Sequence, residues 1–193
     1  VVGSYAFGDK VGLKDIITFD MGGTTAKASL IENGEYTRSL EFQVGGGILT
    51  GSRLMTGSGY LLKVPAIDLA EVGAGGGSIV WIDAGGSMQI GPQSAGAKPG
   101  PVCYKIGGED ATVTDANVIL GYLNQEYLVG GELKIDASRS HKVFADTIAK
   151  PMELSVEHAA YGAHQIAISN MIRAIRAVSS ERGRDPRRYA MVP

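Results

Sequence analysis

The stretch Phe19–Leu30, FDMGGTTAKASL, sets an acid after an apolar run, then two glycines, two threonines and a lysine. Those residue types suit a phosphate. Glycines lack Cβ, so their backbone amides can come close to an anion. Thr24 or Thr25 adds a hydroxyl donor. Asp20, at the end of the apolar run, could hold Mg²⁺ through water, because that ion keeps much of its hydration shell. Lys27 could reach an anion or stand in solvent. The same stretch also reads as an ordinary hairpin turn, and residue types alone leave both readings open. A second cluster, Gly73–Ser78 (GAGGGS), is entropically costly to order. It implies close approach of its backbone to a ligand or to another chain segment, or tight packing alone.

Other chemistry-bearing residues carry weaker patterns. Gly91–Gly108 is a long Gly/Pro loop around Cys103, and long compact loops are often functional. Its thiol could be a nucleophile, but no histidine lies near it in sequence, and free cysteines are commonly buried and inert. TVTDAN (Thr112–Asn117) offers Asp115 and Asn117; a carboxylate at a helix start interacts well with the helix dipole. His141, His158 and His164 have no metal-ligand spacing and read as structural or surface residues.

The elements that must position these residues follow from pattern. Val1–Val11 reads as the end of a helix, and Asp15–Asp20 as a short buried strand. Two β-rich runs flank Asn33-Gly34, a strong hairpin signal. Val44–Gly59 is Gly-rich and reads as a mobile segment. Pro65 limits any helix before it. Ile79–Gly91 reads as a second hairpin turning at Ala84–Gly86. Thr114 is the expected cap of a helix bearing Val118, Ile119 and Tyr122 on one face. Ser138–Ala149 reads as a helix. The strongest helix signal starts at Ser155 as N-cap, with Glu157 in the first turn and Gly183 as a C-terminal cap. Its apolar stripe is Ala160, Ala163, Ile166, Ala167, Met171, Ala174 and Ile175. Asp185-Pro186 restarts the chain in a short turn of helix. Strands come first and helices later, so the expected architecture is a mixed sheet with helices packed on it.

Totals bound the remaining possibilities. The 193 residues suffice for one domain with a sizeable core, and 44% apolar with 20% charged residues is ordinary for a globular protein. A net charge of −2 gives no basic field for nucleic acid. No apolar stretch reaches the roughly 20 residues of a membrane span. One cysteine excludes an internal disulfide and fits a reducing, cytoplasmic compartment. The chain starts in mid-pattern at Val1 and stops just after Tyr189-Ala-Met-Val, as a piece of a longer protein would.

Five stretches occur in order: Thr18–Glu35, Val72–Gly86, Ile90–Tyr104, Gly107–Leu123 and Met171–Arg187. Together they resemble the hydantoinase A / 5-oxoprolinase family, which also includes acetone carboxylase β-type subunits. The resemblance implies an α/β fold, one half of an actin-like (ribonuclease-H-like) ATPase with a mixed sheet and Gly-rich loops. It implies a central domain fragment, with Asp20–Thr25 matching the second of two phosphate loops. It implies ATP and Mg²⁺ bound by Asp20, Gly22, Gly23, Thr24, Thr25 and Lys27, with Gly75, Gly76 and Gly77 lining the cleft. Asp68, Glu71 and Asp115 become the carboxylates for substrate or acid-base work. Asp68 and Asp115, with Asp20, are the candidate metal ligands, and a second divalent ion is expected there. Asp68 and Glu71, three apart, would share a face of a helical turn.

The implied function is ATP-dependent hydrolysis of a cyclic amide of the hydantoin, N-methylhydantoin or 5-oxoproline type, with a hydantoinase B-type subunit as partner. Alternatives are a ketone carboxylase subunit, a small-molecule kinase of the superfamily, and a non-catalytic nucleotide-gated module. Two departures stand out. Many members read G-G-T-S-T-D where this chain has Lys27 in place of the acid. Many also read D-I-H-T where this chain has Asp68-Leu69-Ala70-Glu71.

Overall fold

The computed structural model describes residues 1–39, 42–44 and 60–193. The Gly-rich stretch expected after Val44 lies outside the described residues. The strands are β1 (Ile16–Met21), β2 (Ala26–Glu32), β3 (Glu35–Tyr36), β4 (Arg38–Ser39), β5 (Phe42–Val44), β6 (Tyr60–Leu62), β7 (Ala66–Ile67), β8 (Ala70–Val72), β9 (Ser78–Ile82), β10 (Met88–Ser94), β11 (Tyr127–Leu128), β12 (Leu133–Lys134) and β13 (Ala190–Val192). The α-helices are α1 (Val2–Val11), α2 (Val113–Ile119), α3 (Ala137–Phe144) and α4 (Val156–Val178). No helix among the described residues is long and apolar enough to cross a membrane.

The chain divides into two compact units. The first comprises Val1–Met21, Thr25–Val72 and Met171–Pro193; the second comprises Gly22–Thr24 and Gly73–Asn170.

The first unit is built on a mixed sheet in the order β13-β1-β2-β3, with β8 also paired to β2. β1 and β2 run antiparallel, with Met21 opposite Ala26, so the four residues 22–25 make the whole connection. The sheet buries Ile16, Ile17, Ala26, Ala28, Leu30 and Ile31. Asn33 and Gly34 turn β2 into β3 with φ of 53° and 76°, the backbone a tight hairpin requires. β13 pairs parallel to β1, Ile16 opposite Ala190. The residues Tyr189-Ala-Met-Val, legible only as apolar in sequence, thus complete the sheet.

The connection into β13 is tied down by charge. Arg184 Nε donates to Glu32 Oε2 at 2.7 Å, and the Tyr189 hydroxyl donates to Glu32 Oε1 at 2.7 Å. The Arg184 hydrogen bond, joined by that of Tyr189, holds the Glu32 carboxyl below the usual carboxylate range although burial pulls the other way. Gly183 closes a 3₁₀ turn (Ser180–Arg182) in the left-handed conformation. Asp185 then caps a second such turn, Pro186–Arg188, as its Asp-Pro pair predicts.

In the second unit β9 and β10 form the expected hairpin. Asp83 Oδ1 accepts from the amides of Gly85 and Ser87, each at 2.9 Å, which fixes the turn. The helix α2 is capped by Thr112 rather than Thr114, in a reciprocal box with Asp115. Val118 and Ile119 are buried as expected, but Tyr122 lies beyond the helix end and is exposed. α3 begins at Ala137 and continues into a π-helical turn over Ala145–Ala149. Cys103, Val118 and Ile135 form a buried cluster. α4 contributes its first part, through Asn170, to this unit; Ala159, Ala160, Ala163 and Ala167 are buried there. Ser155 caps α4, its Oγ accepting from the His158 amide at 3.2 Å.

Candidate functional site

Asp20, next to last in β1, is exposed, and Gly22, Gly23 and Thr24 are exposed as well. In the second unit the Gly22–Thr24 turn lies on the glycine cluster. The Gly76 amide donates to the Gly22 carbonyl at 3.0 Å, and the Gly77 amide to the Gly23 carbonyl at 2.6 Å. The Gly75 amide donates to Ser78 Oγ at 2.9 Å. The contact is too close for any side chain: a Cβ at Gly75 would sit 2.6 Å from the Gly23 carbonyl carbon and oxygen. Thr24 Oγ1 and Ser94 Oγ share a hydrogen bond of 3.2 Å.

The three glycines therefore do something other than line a cleft with open donors. The Gly76 and Gly77 amides hold the turn and the Gly75 amide is taken by Ser78, so of the meanings the cluster allows, approach to another chain segment is one the fold realises. The turn's own amides differ. Among the described residues the Gly22, Gly23 and Thr24 amides donate to no other group. Gly23 has no neighbour within 4 Å of where its Cβ would be and is not in the left-handed region. Nothing in the fold requires glycine at that position.

Lys27 does not stand free toward an anion. It lies opposite Asp20 on β1 and opposite Glu71 on β8. Its Nζ is 3.1 Å from Glu71 Oε1 and donates to Thr25 Oγ1 at 2.6 Å. Burial alone would raise the Glu71 carboxyl, but the hydrogen bonds from Thr25 and Lys27, with the lysine charge, leave it below its usual range. Lys27, one of the two departures from the family pattern, is thus held in an ion pair with Glu71, the residue after the other departure, Ala70. Glu71 lies in strand β8 and Asp68 just before it, so the helical turn expected to carry both does not form. The reason is long-range pairing: Lys27 and its strand neighbours offer β8 a ladder partner.

Asp68 is clamped by Arg182, whose two terminal nitrogens meet its two carboxylate oxygens, one at 3.2 Å from Oδ1. Bidentate pairing of this kind is geometrically specific. Asp115 is fully buried. Its oxygens accept from the amides of Val102 (3.2 Å), Cys103 (2.9 Å) and Thr112 (3.1 Å), and from the hydroxyls of Thr112 and Ser140, each at 2.7 Å. Such a carboxylate has no lone pair left for substrate or metal. Asp68 belongs to the first unit and Asp115 to the second, and each is engaged inside its own unit. Among the described residues no three His, Cys, Asp or Glu side chains gather to hold a metal. The carboxylates of Asp68 and of Asp115 are thus each taken up by protein donors.

Cys103 is buried, and burial first, then the negative charge of Asp115, pushes its thiol far up. The thiolate that nucleophilic chemistry needs is suppressed. His164 Nδ1 pairs with Asn117 Oδ1 at 2.9 Å, and its ring packs on Tyr122 at 4.9 Å. Sequence reasoning missed the Glu32–Arg184–Tyr189 network and the Ser140 donor. Only the Arg-rich run Arg182–Arg188 signalled the former.

A sequence model of the hydantoinase/oxoprolinase family matches residues 1–193. The chain belongs to the hydantoinase/oxoprolinase family. Within this family it is 49% identical over 176 residues to an uncharacterized protein of Methanocaldococcus jannaschii, covering 91% of this chain and 25% of that protein. It is 41% identical over 183 residues to caprolactamase subunit alpha of Pseudomonas jessenii, covering 94% of this chain and 24% of the subunit. Among solved structures, a nucleotide-free acetone carboxylase, whose carboxylation is ATP-dependent, superposes with a TM-score of 0.83 at 32% identity. That match covers 98% of this chain and 25% of the carboxylase chain. This hydantoinase/oxoprolinase chain spans about a quarter of the length of these three relatives.

Proposed function

We propose that this chain is the central part of an ATP-dependent hydrolase of cyclic amides, and that Asp20–Thr25 is its phosphate loop. The observation that carries the reading is the turn itself. It is exposed, its Gly22, Gly23 and Thr24 amides have no partner among the described residues, and glycine stands at 23 where the fold makes no demand for it. Approach of an anion is a physical reason for that glycine. The named relatives, an ATP-dependent caprolactamase and 5-oxoprolinases, support a cyclic amide as substrate. The mixed sheet with packed helices supports one actin-like, ribonuclease-H-like half.

The residues present fit ATP and Mg²⁺ to this extent. Amides of the turn suit phosphate oxygens, and the exposed Asp20 suits a hydrated Mg²⁺, which needs only one or two protein carboxylates. When bound, ATP supplies the phosphoryl group that makes the oxygen of an unreactive amide carbonyl a better leaving group. The chain's own part is to orient phosphates through backbone donors. The Lys27–Glu71 pair holds Thr25 at the exit of the loop. The caprolactamase and carboxylase relatives are subunits by name, which supports a hydantoinase B-type partner.

The likeness to acetone carboxylase makes ketone carboxylation the second reading. ATP turnover by the full-length protein against hydantoins, 5-oxoproline, caprolactam, and ketones with bicarbonate tests both. Stimulation by a cyclic amide is expected. Stimulation only by a ketone with bicarbonate favours the second reading, and no stimulation by any of them overturns the first.

A further inference from the structure

The glycine cluster Gly75–Gly77 touches the turn only through backbone, and a peptide plane has two sides. In a trans peptide the C=O of one residue and the N–H of the next point in opposite directions. The only cis peptides among the described residues precede Pro92 and Pro99, so those of Gly22–Gly23 and Gly23–Thr24 are trans. The Gly22 carbonyl is held by the Gly76 amide and the Gly23 carbonyl by the Gly77 amide. The Gly23 and Thr24 N–H groups are therefore turned, as a pair, to the side opposite the cluster. Adjacent amides facing one way make an anion-binding concavity. A free Gly-Gly-Thr turn would have to lose much conformational freedom before offering them.

We infer that Gly75–Gly77 is a positioning element for the phosphate loop: it clasps the Gly22 and Gly23 carbonyls so that the Gly23 and Thr24 amides are preset toward a phosphate. The inference rests on the phosphate-loop reading and adds a role for residues that touch no phosphate themselves. The clasp explains glycine at 75 and 77, and the neighbouring Thr114 side chain explains it at 76. A Cβ at Gly75 meets Gly23 carbonyl atoms at 2.6 Å, one at Gly76 meets Thr114 Oγ1 at 2.7 Å, and one at Gly77 meets the Gly23 oxygen at 3.0 Å. Any side chain at 75 or 77 pushes directly on a carbonyl whose direction sets an amide. Ser94 steadies the same turn through Thr24 Oγ1.

The test is amide NMR of the ¹⁵N-labelled full-length protein titrated with inorganic pyrophosphate, for wild type and Gly75→Ala. In wild type the Gly23 and Thr24 resonances should move as pyrophosphate is added. In Gly75→Ala their response should need at least about tenfold more pyrophosphate, the loss expected when an oriented charge-assisted hydrogen bond is misaligned. The Val102 and Cys103 amides, held by Asp115, report whether the rest of the unit is intact. A merely structural role would lower the folded fraction and leave the pyrophosphate dependence of the folded molecules unchanged. If Gly75→Ala does not fold, Gly77→Ala, with its looser 3.0 Å contact, carries the same expectation. Equal pyrophosphate dependence in wild type and a folded variant overturns the positioning role while the loop reading stands. No response at Gly23 and Thr24 in wild type overturns both.

Discussion

At the residue scale, burial and exposure separate roles that sequence presents alike. Asp20 and Asp115 are both acids beside Gly- or Thr-rich stretches, yet one is exposed at a strand end and the other is enclosed by five donors. Replacing Asp115 with Ala would leave several buried N–H and O–H groups without a partner, each costing about 1–3 kcal/mol. Asp115→Ala is expected to lower stability by about 3 kcal/mol or more in denaturant unfolding; a change under about 1 kcal/mol, the net worth of a single hydrogen bond, would contradict the hub. Gly23→Ala is expected to behave in the opposite way. Its Cβ meets nothing and its backbone is not left-handed, so stability should change by no more than about 0.5 kcal/mol. The pyrophosphate response at Thr24 should nonetheless be lost. Asp115 was legible only as a helix-start acid, because its main partners Val102, Cys103 and Ser140 are 12 to 25 residues away.

At the element scale, local signals were reliable and long-range pairing was not. The Asn33-Gly34 hairpin, the β9–β10 hairpin and the Ser155 cap stand where their turn and cap chemistry puts them. The segment before the glycine cluster is different. Asp68 and Glu71 have helical spacing, but Ala70–Val72 pairs with β2, and ladder partners outweigh a three-residue spacing. β13 was missed for the same reason, since its partner β1 lies more than 170 residues earlier and three residues carry no periodicity. What anchors β13 is Glu32, and this yields a pH dependence. Glu32's folded pKa is lowered, so the stability it contributes is present above its unfolded value of about 4.3. It is lost as pH falls through the folded pKa. With the pair about a third exposed, the amount should be under about 1 kcal/mol. Glu32→Gln is expected to flatten the acid limb of a stability–pH profile below about pH 4.3; an unchanged acid limb would count against the network.

At the scale of the whole molecule, a family assignment and a mixed sheet do not by themselves identify a site. Five ordered motifs made the family legible from sequence, and their residues divide sharply in the structure. The Arg182–Arg187 stretch ties the first unit together, the Thr112–Asn117 stretch ties the second, and in the Asp20–Thr25 stretch the Gly22, Gly23 and Thr24 amides have no partner among the described residues. Many of the motif residues are thus engaged in packing and internal hydrogen bonds. The central claim is that this turn serves phosphate. The most direct test is ATP turnover of the full-length protein with Asp20→Asn, alongside a thermal melt. Loss of a charge that stabilises phosphoryl transfer commonly costs about 10²-fold or more. The account predicts a fall of at least that order with a melt close to wild type, because Asp20 is exposed. Full activity in Asp20→Asn would contradict the account and return the turn to an ordinary hairpin.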